Sequence, residues 1–207
     1  MPHRRYILGS RSPRRLELLQ LLAPREQISV LPPACAAEAG FDGLQEEPAI
    51  ARRLLEIVQA KKADVEAQLS SEQQRSSRRL VADTIVVVQG VAGGQRVLGQ
   101  PPEKEDWQGE VREWFERYYS GRAHTVWTGV CLWDHQQTLT EDIVRTTVVF
   151  RTISPAEIDW YLATGESLGK AGGYGLQGLA SVFVEKIEGS LSNVVGLPLE
   201  SLRPFIQ

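Results

Sequence analysis

A chain of 207 residues that is 42% hydrophobic can bury a sizeable core, in one domain or in two closely packed lobes. Its net charge of −3 argues against bulk attraction to a nucleic-acid polymer or a membrane surface. No apolar run approaches the roughly 18–20 residues of a transmembrane helix, and Cys35 and Cys131, far apart and in no metal-type spacing, suit a reducing cytosol.

The chain starts rich in arginine: Arg4, Arg5, Arg11, Arg14 and Arg15 precede the first acid, Glu17. Such a composition occurs in transit peptides. Here a strand begins at once with Tyr6-Ile7-Leu8, so no separable leader is expected. A turn and a helix follow. Ser12 suits the N-cap, Pro13 the first helical position, and Leu16, Leu18, Leu19 and Leu22 an apolar face. Arg14 and Arg15 in the first turn are unusual, because a helix N-terminus is already partly positive. The ordinary solution stands at Ser154-Pro155-Ala156-Glu157, where glutamate completes a capping box. The two arginines are either solvated surface residues or part of an anion site, for which phosphate is the usual guest.

Gln27 to Leu31 reads as a strand, and Pro48 opens a long helix through Leu69. Ser70 to Arg79 is polar throughout and reads as a loop or surface insertion. Leu80 to Val88 is the strongest strand, turned back by Gly90 to Gly94 into a short strand ending at Val97-Leu98. A helix from about Glu103 to Tyr119 buries Trp107, Val111 and Trp114. Thr125 to Trp133 and Leu139 to Phe150 read as antiparallel neighbours. The capped helix from Pro155, a segment with six glycines from Gly165 to Gly178, a strand from Ser181 to Ile187 and a C-terminal helix complete the chain. Strands alternating with helices, with hairpins between, predict an α/β fold with a mixed sheet.

Asp83 lies inside the apolar run Leu80 to Val88, where a carboxylate is costly unless it is paired or metal-bound. Beside a phosphate site it would serve as a Mg²⁺ ligand or as base for an attacking water; otherwise it caps a strand end. The loop Lys170-Ala171-Gly172-Gly173-Tyr174-Gly175-Leu176-Gln177-Gly178 permits close approach of backbone to ligand, but lacks a Walker-type Gly-Lys-Ser/Thr. Lys170 could meet phosphate. Gln177 offers a donor and an acceptor that suit the N3–H and carbonyl edge of uracil or thymine. The same loop also reads as a flexible connection. His124 reads as a structural histidine at a strand start, and His3, His124 and His135 form no zinc-type pair.

Together these segments resemble the Maf family, nucleoside triphosphate pyrophosphatases first described as septum-formation proteins. The matching stretches are Leu8 to Leu19, Ala82-Asp83-Thr84, Leu98-Gly99-Gln100-Pro101, Ser120 to His124, Lys170 to Gly178 and Ser192 to Pro198. The glycine-rich loop looks like that of the branch acting on dTTP and UTP; the branch acting on 7-methyl-GTP differs there. The resemblance implies an elongated, twisted mixed sheet flanked by helices, in a single Maf-like domain (residues 1–207) of two lobes around a central cleft, as in the Maf/ITPase-like fold. It implies hydrolysis between the α and β phosphates, with Asp83 as catalytic base. Arg15, Thr84 and Gln177 match the specificity positions, and Ser10, Ser12 and Arg14 the phosphate turn. Lys62, or else its neighbour Lys61, matches a helix lysine, and Lys170 a further phosphate contact. Asp83 and Glu38 match the metal side, for Mg²⁺ or Mn²⁺. The family also implies a cytoplasmic protein, a nucleoside triphosphate partner and a homodimer. Other readings are the same chemistry on another nucleotide, or a nucleotide-binding regulator of cell division without turnover. The chain departs from the pattern at Gln100, where lysine is usual, and at Gly169, where an acid is usual.

Overall fold

The structure, a computed structural model, describes residues 5–35, 39–91, 93–102 and 106–206. The chain opens with β1 (Arg5–Gly9), α1 (Pro13–Gln20) and β2 (Ile28–Val30). Then come α2 (Glu47–Ala67), α3 (Ser71–Ser76), β3 (Ser77–Gln89) and β4 (Gln95–Leu98). After α4 (Trp107–Trp114) follow β5 (Ala123–Trp133), β6 (Thr138–Phe150) and α5 (Pro155–Ala163). The last elements are β7 (Val184–Glu188), α6 (Leu191–Val195) and α7 (Leu199–Ile206).

One seven-stranded mixed sheet runs β2-β1-β3-β5-β6-β7, with β4 on β3. β2 and β3 flank β1 in parallel; the other pairs are antiparallel. Helices cover both faces of β3, which explains its near-continuous apolar run. Val81, Ile85 and Val87 pack beneath α2, against Leu54, Val58 and Val65. Leu80 and Ala82 face α1 and α7, through Leu18, Leu19 and Leu202. Val86 and Val88 join an aromatic cluster of Trp114, Phe115, Tyr119, Phe150, Tyr161 and Phe183. The expected α/β fold with a mixed sheet is present.

Three expectations change. The polar stretch Ser70 to Arg79 is not a loop. Ser70 and Gln73 form a capping box for α3, and β3 begins at Ser77. Arg79 is 1% exposed because its guanidinium meets the Glu66 carboxylate at 3.2 and 3.3 Å and the carbonyls of Gln74 and Ser77. The predicted helix to Tyr119 widens after Trp114 into a π-type turn, closed by Ser120 N–H on the Phe115 carbonyl, which seats Phe115 and Tyr119 in the aromatic cluster. The start of that helix, at Glu103, lies outside the described residues. Lastly, Leu179–Phe183 forms a short 3₁₀ turn and β7 starts only at Val184.

Candidate active site

The site begins as a gap in the edge of β3. β1 pairs with β3 from Ser77 to Val81, and β4 pairs with it from Val86 to Gln89. Val86 and Val87 are also paired with β5, so β4 shares the β1 edge. Ala82 to Ile85 therefore lie between the two partners, where the turn after β1 and the loop after β4 both emerge. A cavity of about 1410 Å³ opens there. Its walls carry Ser10, Ser12, Arg14, Arg15, Lys61, Asp83, Thr84, Gln100, Lys170, Gln177 and Gly196. Loops at the carboxyl ends of strands are where open α/β sheets generally bind ligands.

The α1 end is built as its sequence predicts. Ser12 Oγ accepts from Arg15 N–H at 3.4 Å, and Ser10 Oγ accepts from Ser12 N–H at 3.1 Å. Arg15 turns inward. Its Nε donates to the Gly196 carbonyl at 2.9 Å, and its terminal nitrogens to Ser10 Oγ at 3.2 Å and Thr84 Oγ1 at 3.0 Å. Arg14 also lines the cavity, and its charge reaches Lys170. Burial lowers the Lys170 pKa first; Glu166 opposes this and Arg14 adds to it. Lys170 donates to the Glu166 carbonyl, and its stem packs against Gly175.

Asp83 is 9% exposed. Successive strand residues face opposite sides, so Asp83 meets α2 while Thr84 meets α1. Lys61 Nζ lies 2.5 Å from Asp83 Oδ1. Gly129, opposite Asp83 on β5, allows this: a Cβ there would fall 2.9 Å from Val58 and 3.1 Å from Leu54, so glycine lets α2 sit close. Of the two helix lysines the sequence offered, Lys61 lines the cavity and Lys62 does not. One residue along a helix is a turn of about 100°, and Lys62 points to Thr138 Oγ1 at 2.9 Å and over the Trp133 ring. Glu38, the other expected metal-side acid, lies outside the described residues.

The glycine-rich loop is anchored. Gly172 has φ +69°, its N–H donates to the Gly99 carbonyl at 2.8 Å, and its own carbonyl accepts from Tyr119 Oη at 2.8 Å. A Cβ at Gly172 would lie 2.5 Å from Tyr119 Oη and Val86 Cγ2. This bond joins the loop that carries Lys170 and Gln177 to the one that carries Gln100. His124 is structural, as read from sequence. It is buried against Tyr119, Phe150 and Tyr174, with Nε2 2.8 Å from Tyr174 Oη, and burial pushes its pKa down to about 3.

Sequence reasoning missed Thr128 and left Asn193 and Gly196 as a weak motif. Thr128 stands opposite Thr84, 3.0 Å away between the hydroxyls, and nothing local in the sequence announces that pairing. Asn193 and Gly196 close the same wall through backbone carbonyls.

A family model described as Maf-like protein matches residues 5–207. The chain is 40% identical over 199 residues to a protein named dTTP/UTP pyrophosphatase from an Anaeromyxobacter species, covering 94% of this chain and 84% of that one. A protein of the same name from Syntrophomonas wolfei is 39% identical over 193 residues, covering 93% and 90% of the two chains. Another, from Agrobacterium fabrum, is 36% identical over 195 residues, covering 93% and 86%. The match covers the turn after β1, the Asp83 strand and the glycine-rich loop that together wall the cavity, and the chain belongs to the Maf-like protein family.

Proposed function

We infer that this chain is a nucleoside triphosphate pyrophosphatase acting on dTTP and UTP, releasing the monophosphate and pyrophosphate. The observation that carries this is the Asp83–Lys61 pair in a cavity that Arg14, Arg15 and Lys170 also line. Relatives at 36–40% identity are named for that activity. A triphosphate needs several cations around it and one group to activate water, and these residue types supply both.

In this reading Asp83 accepts a proton from the attacking water. The water oxygen bonds to the α-phosphorus, and the bond to the α–β bridging oxygen breaks, so that pyrophosphate leaves. Lys61 orients the Asp83 carboxylate. Ser10, Ser12, Arg14 and Lys170 bind phosphate oxygens, while Arg15, Thr84 and Gln177 set base choice. Among the described residues no group of three or more His, Cys, Asp or Glu could hold a metal alone. A lone hard carboxylate facing a triphosphate still fits Mg²⁺, which is usually bound by one or two carboxylates plus substrate phosphates. Asp83, with Glu38, would hold Mg²⁺ or Mn²⁺, and the cation would neutralise triphosphate charge.

No described helix is long and apolar enough to cross a membrane. We further propose a cytoplasmic homodimer, each subunit one domain of two lobes, that removes surplus or non-standard nucleotides. Pyrophosphate release measured across dTTP, UTP, CTP, GTP and ATP tests the reading: dTTP and UTP should lead, and equal rates on purines would refute it.

A further inference from the structure

We propose that Thr128 is a positioning residue for base choice: it fixes the Thr84 hydroxyl as a proton acceptor toward the cavity, where Thr84 takes the imide N3–H of uracil or thymine and rejects cytosine. This rests on the pyrimidine triphosphate reading above.

Thr128 is 0% exposed and faces Thr84 across the β3–β5 pair, with the two hydroxyl oxygens 3.0 Å apart. A hydroxyl has one proton and two lone pairs. Thr128 Oγ1 lies 3.2 Å from the Asn193 carbonyl, which can only accept, so the Thr128 proton goes there. The proton between the threonines is then that of Thr84. The reverse assignment would give up the bond to Asn193. On the other side, Arg15 donates to Thr84 Oγ1 at 3.0 Å and admits no proton in return. The chain therefore runs from Arg15 through Thr84 and Thr128 to the Asn193 carbonyl. Its far end is held because the Asn193 amide donates to the Val126 carbonyl and to Thr146 Oγ1, each at 3.0 Å.

Thr84, half-buried on the cavity wall, is left with a lone pair and no proton to offer. dTTP and UTP share two donors, the base N3–H and the sugar 3′-hydroxyl. A sugar hydroxyl can donate or accept, so it pairs with Thr84 whichever way the Thr84 proton points. An imide N–H does, and cytosine has a bare acceptor at the same position. A site built to meet a donor discriminates strongly against an analogue that lacks it.

The test is kcat/KM for UTP and CTP in wild type, Thr128→Val and Thr128→Ser. Valine keeps the shape but frees the Thr84 proton to swing into the cavity. Wild type should prefer UTP, and Thr128→Val should cut the UTP-to-CTP ratio roughly tenfold, chiefly through KM for UTP. Thr128→Ser should keep the ratio. A merely structural role would lower both substrates together, and that result, or an unchanged ratio, overturns the proposal and points to the sugar hydroxyl or to packing. If Thr128→Val does not fold, Thr128→Ala carries the same test, and a wild-type ratio there is equally fatal. A wild type that releases no pyrophosphate from UTP or dTTP overturns the activity itself; an active wild type with an unmoved ratio overturns this inference alone.

Discussion

Lys61 Nζ and Asp83 Oδ1 lie 2.5 Å apart, with side chains only 14% and 13% exposed. The contact joins a helix to a strand that the sheet register and a glycine at position 129 bring together. It sets Lys61 beside Asp83 on the cavity wall, whereas Lys62 meets Thr138 and Trp133. Lys61→Met should lower kcat/KM by about tenfold or more, because a nearly buried carboxylate loses its partner. Lys62→Met should leave it within about twofold, since that side chain serves Thr138 and Trp133. Steady-state kinetics on UTP with both variants checks the assignment; the opposite ranking refutes it.

Asp83→Asn should abolish turnover while leaving nucleotide binding largely intact. Loss of a general base costs about 10²–10⁴-fold, and loss of a metal ligand can cost more. Single-turnover rates beside equilibrium binding of UTP separate the two effects. Near wild-type kcat would remove Asp83 as base.

Gln100 lines the same cavity, on the loop that Gly99 ties to Gly172. It is neutral at the position where the resemblance drawn from sequence implies lysine. A charge-assisted hydrogen bond is about twice as strong as a neutral one. Gln100→Lys should raise kcat/KM on UTP by about tenfold, equivalent to about 1.4 kcal/mol of transition-state stabilisation. The gain should shrink at high ionic strength. No gain at either salt would show that the charge balance is already complete without this position.

Gln177 is an exposed part of the cavity wall, and the proposed reading assigns it to the base edge. Gln177→Ala should lower the preference for UTP over GTP, because paired polar contacts carry more discrimination than shape alone. Competition assays read this directly, and an unchanged preference would place base reading elsewhere.

His124 gives a pH prediction for stability. Its pKa falls from 6.5 to about 3 on burial. The folded state thus keeps the ring neutral, while the unfolded chain takes up a proton below pH 6.5. Stability from this residue is complete above that value and is lost as pH falls toward the folded pKa, by about 1.4 kcal/mol per pH unit at most. Urea unfolding at about pH 7 and about pH 5 should differ by about 2 kcal/mol more in wild type than in His124→Phe. The phenylalanine variant, lacking the bond to Tyr174, should be weaker at the higher pH. Equal pH slopes would contradict a buried neutral His124.

The parts of the fold legible in sequence are those governed by local rules. The Ser154–Glu157 capping box, Ser12 as N-cap and the buried β3 run all follow from neighbours within a few residues. Arg79 was not legible, because its burial depends on Glu66 of α2 and has no local signature. Lys61 and Lys62 are equivalent in sequence; the close seat of α2 over Gly129 sets the helix phase that separates them. Thr128 is one threonine among several β-branched strand residues until register places it opposite Thr84. Asp83 could be singled out because a carboxylate within an apolar strand demands a partner.

The central claim is cleavage between the α and β phosphates, driven from Asp83. The most direct measurement is product analysis after incubation of the purified chain with UTP and Mg²⁺, beside Asp83→Asn. UMP and pyrophosphate should appear in equal amounts with wild type, without UDP or inorganic phosphate, and neither should form with the variant. UDP with inorganic phosphate, or equal turnover by the variant, would contradict the account.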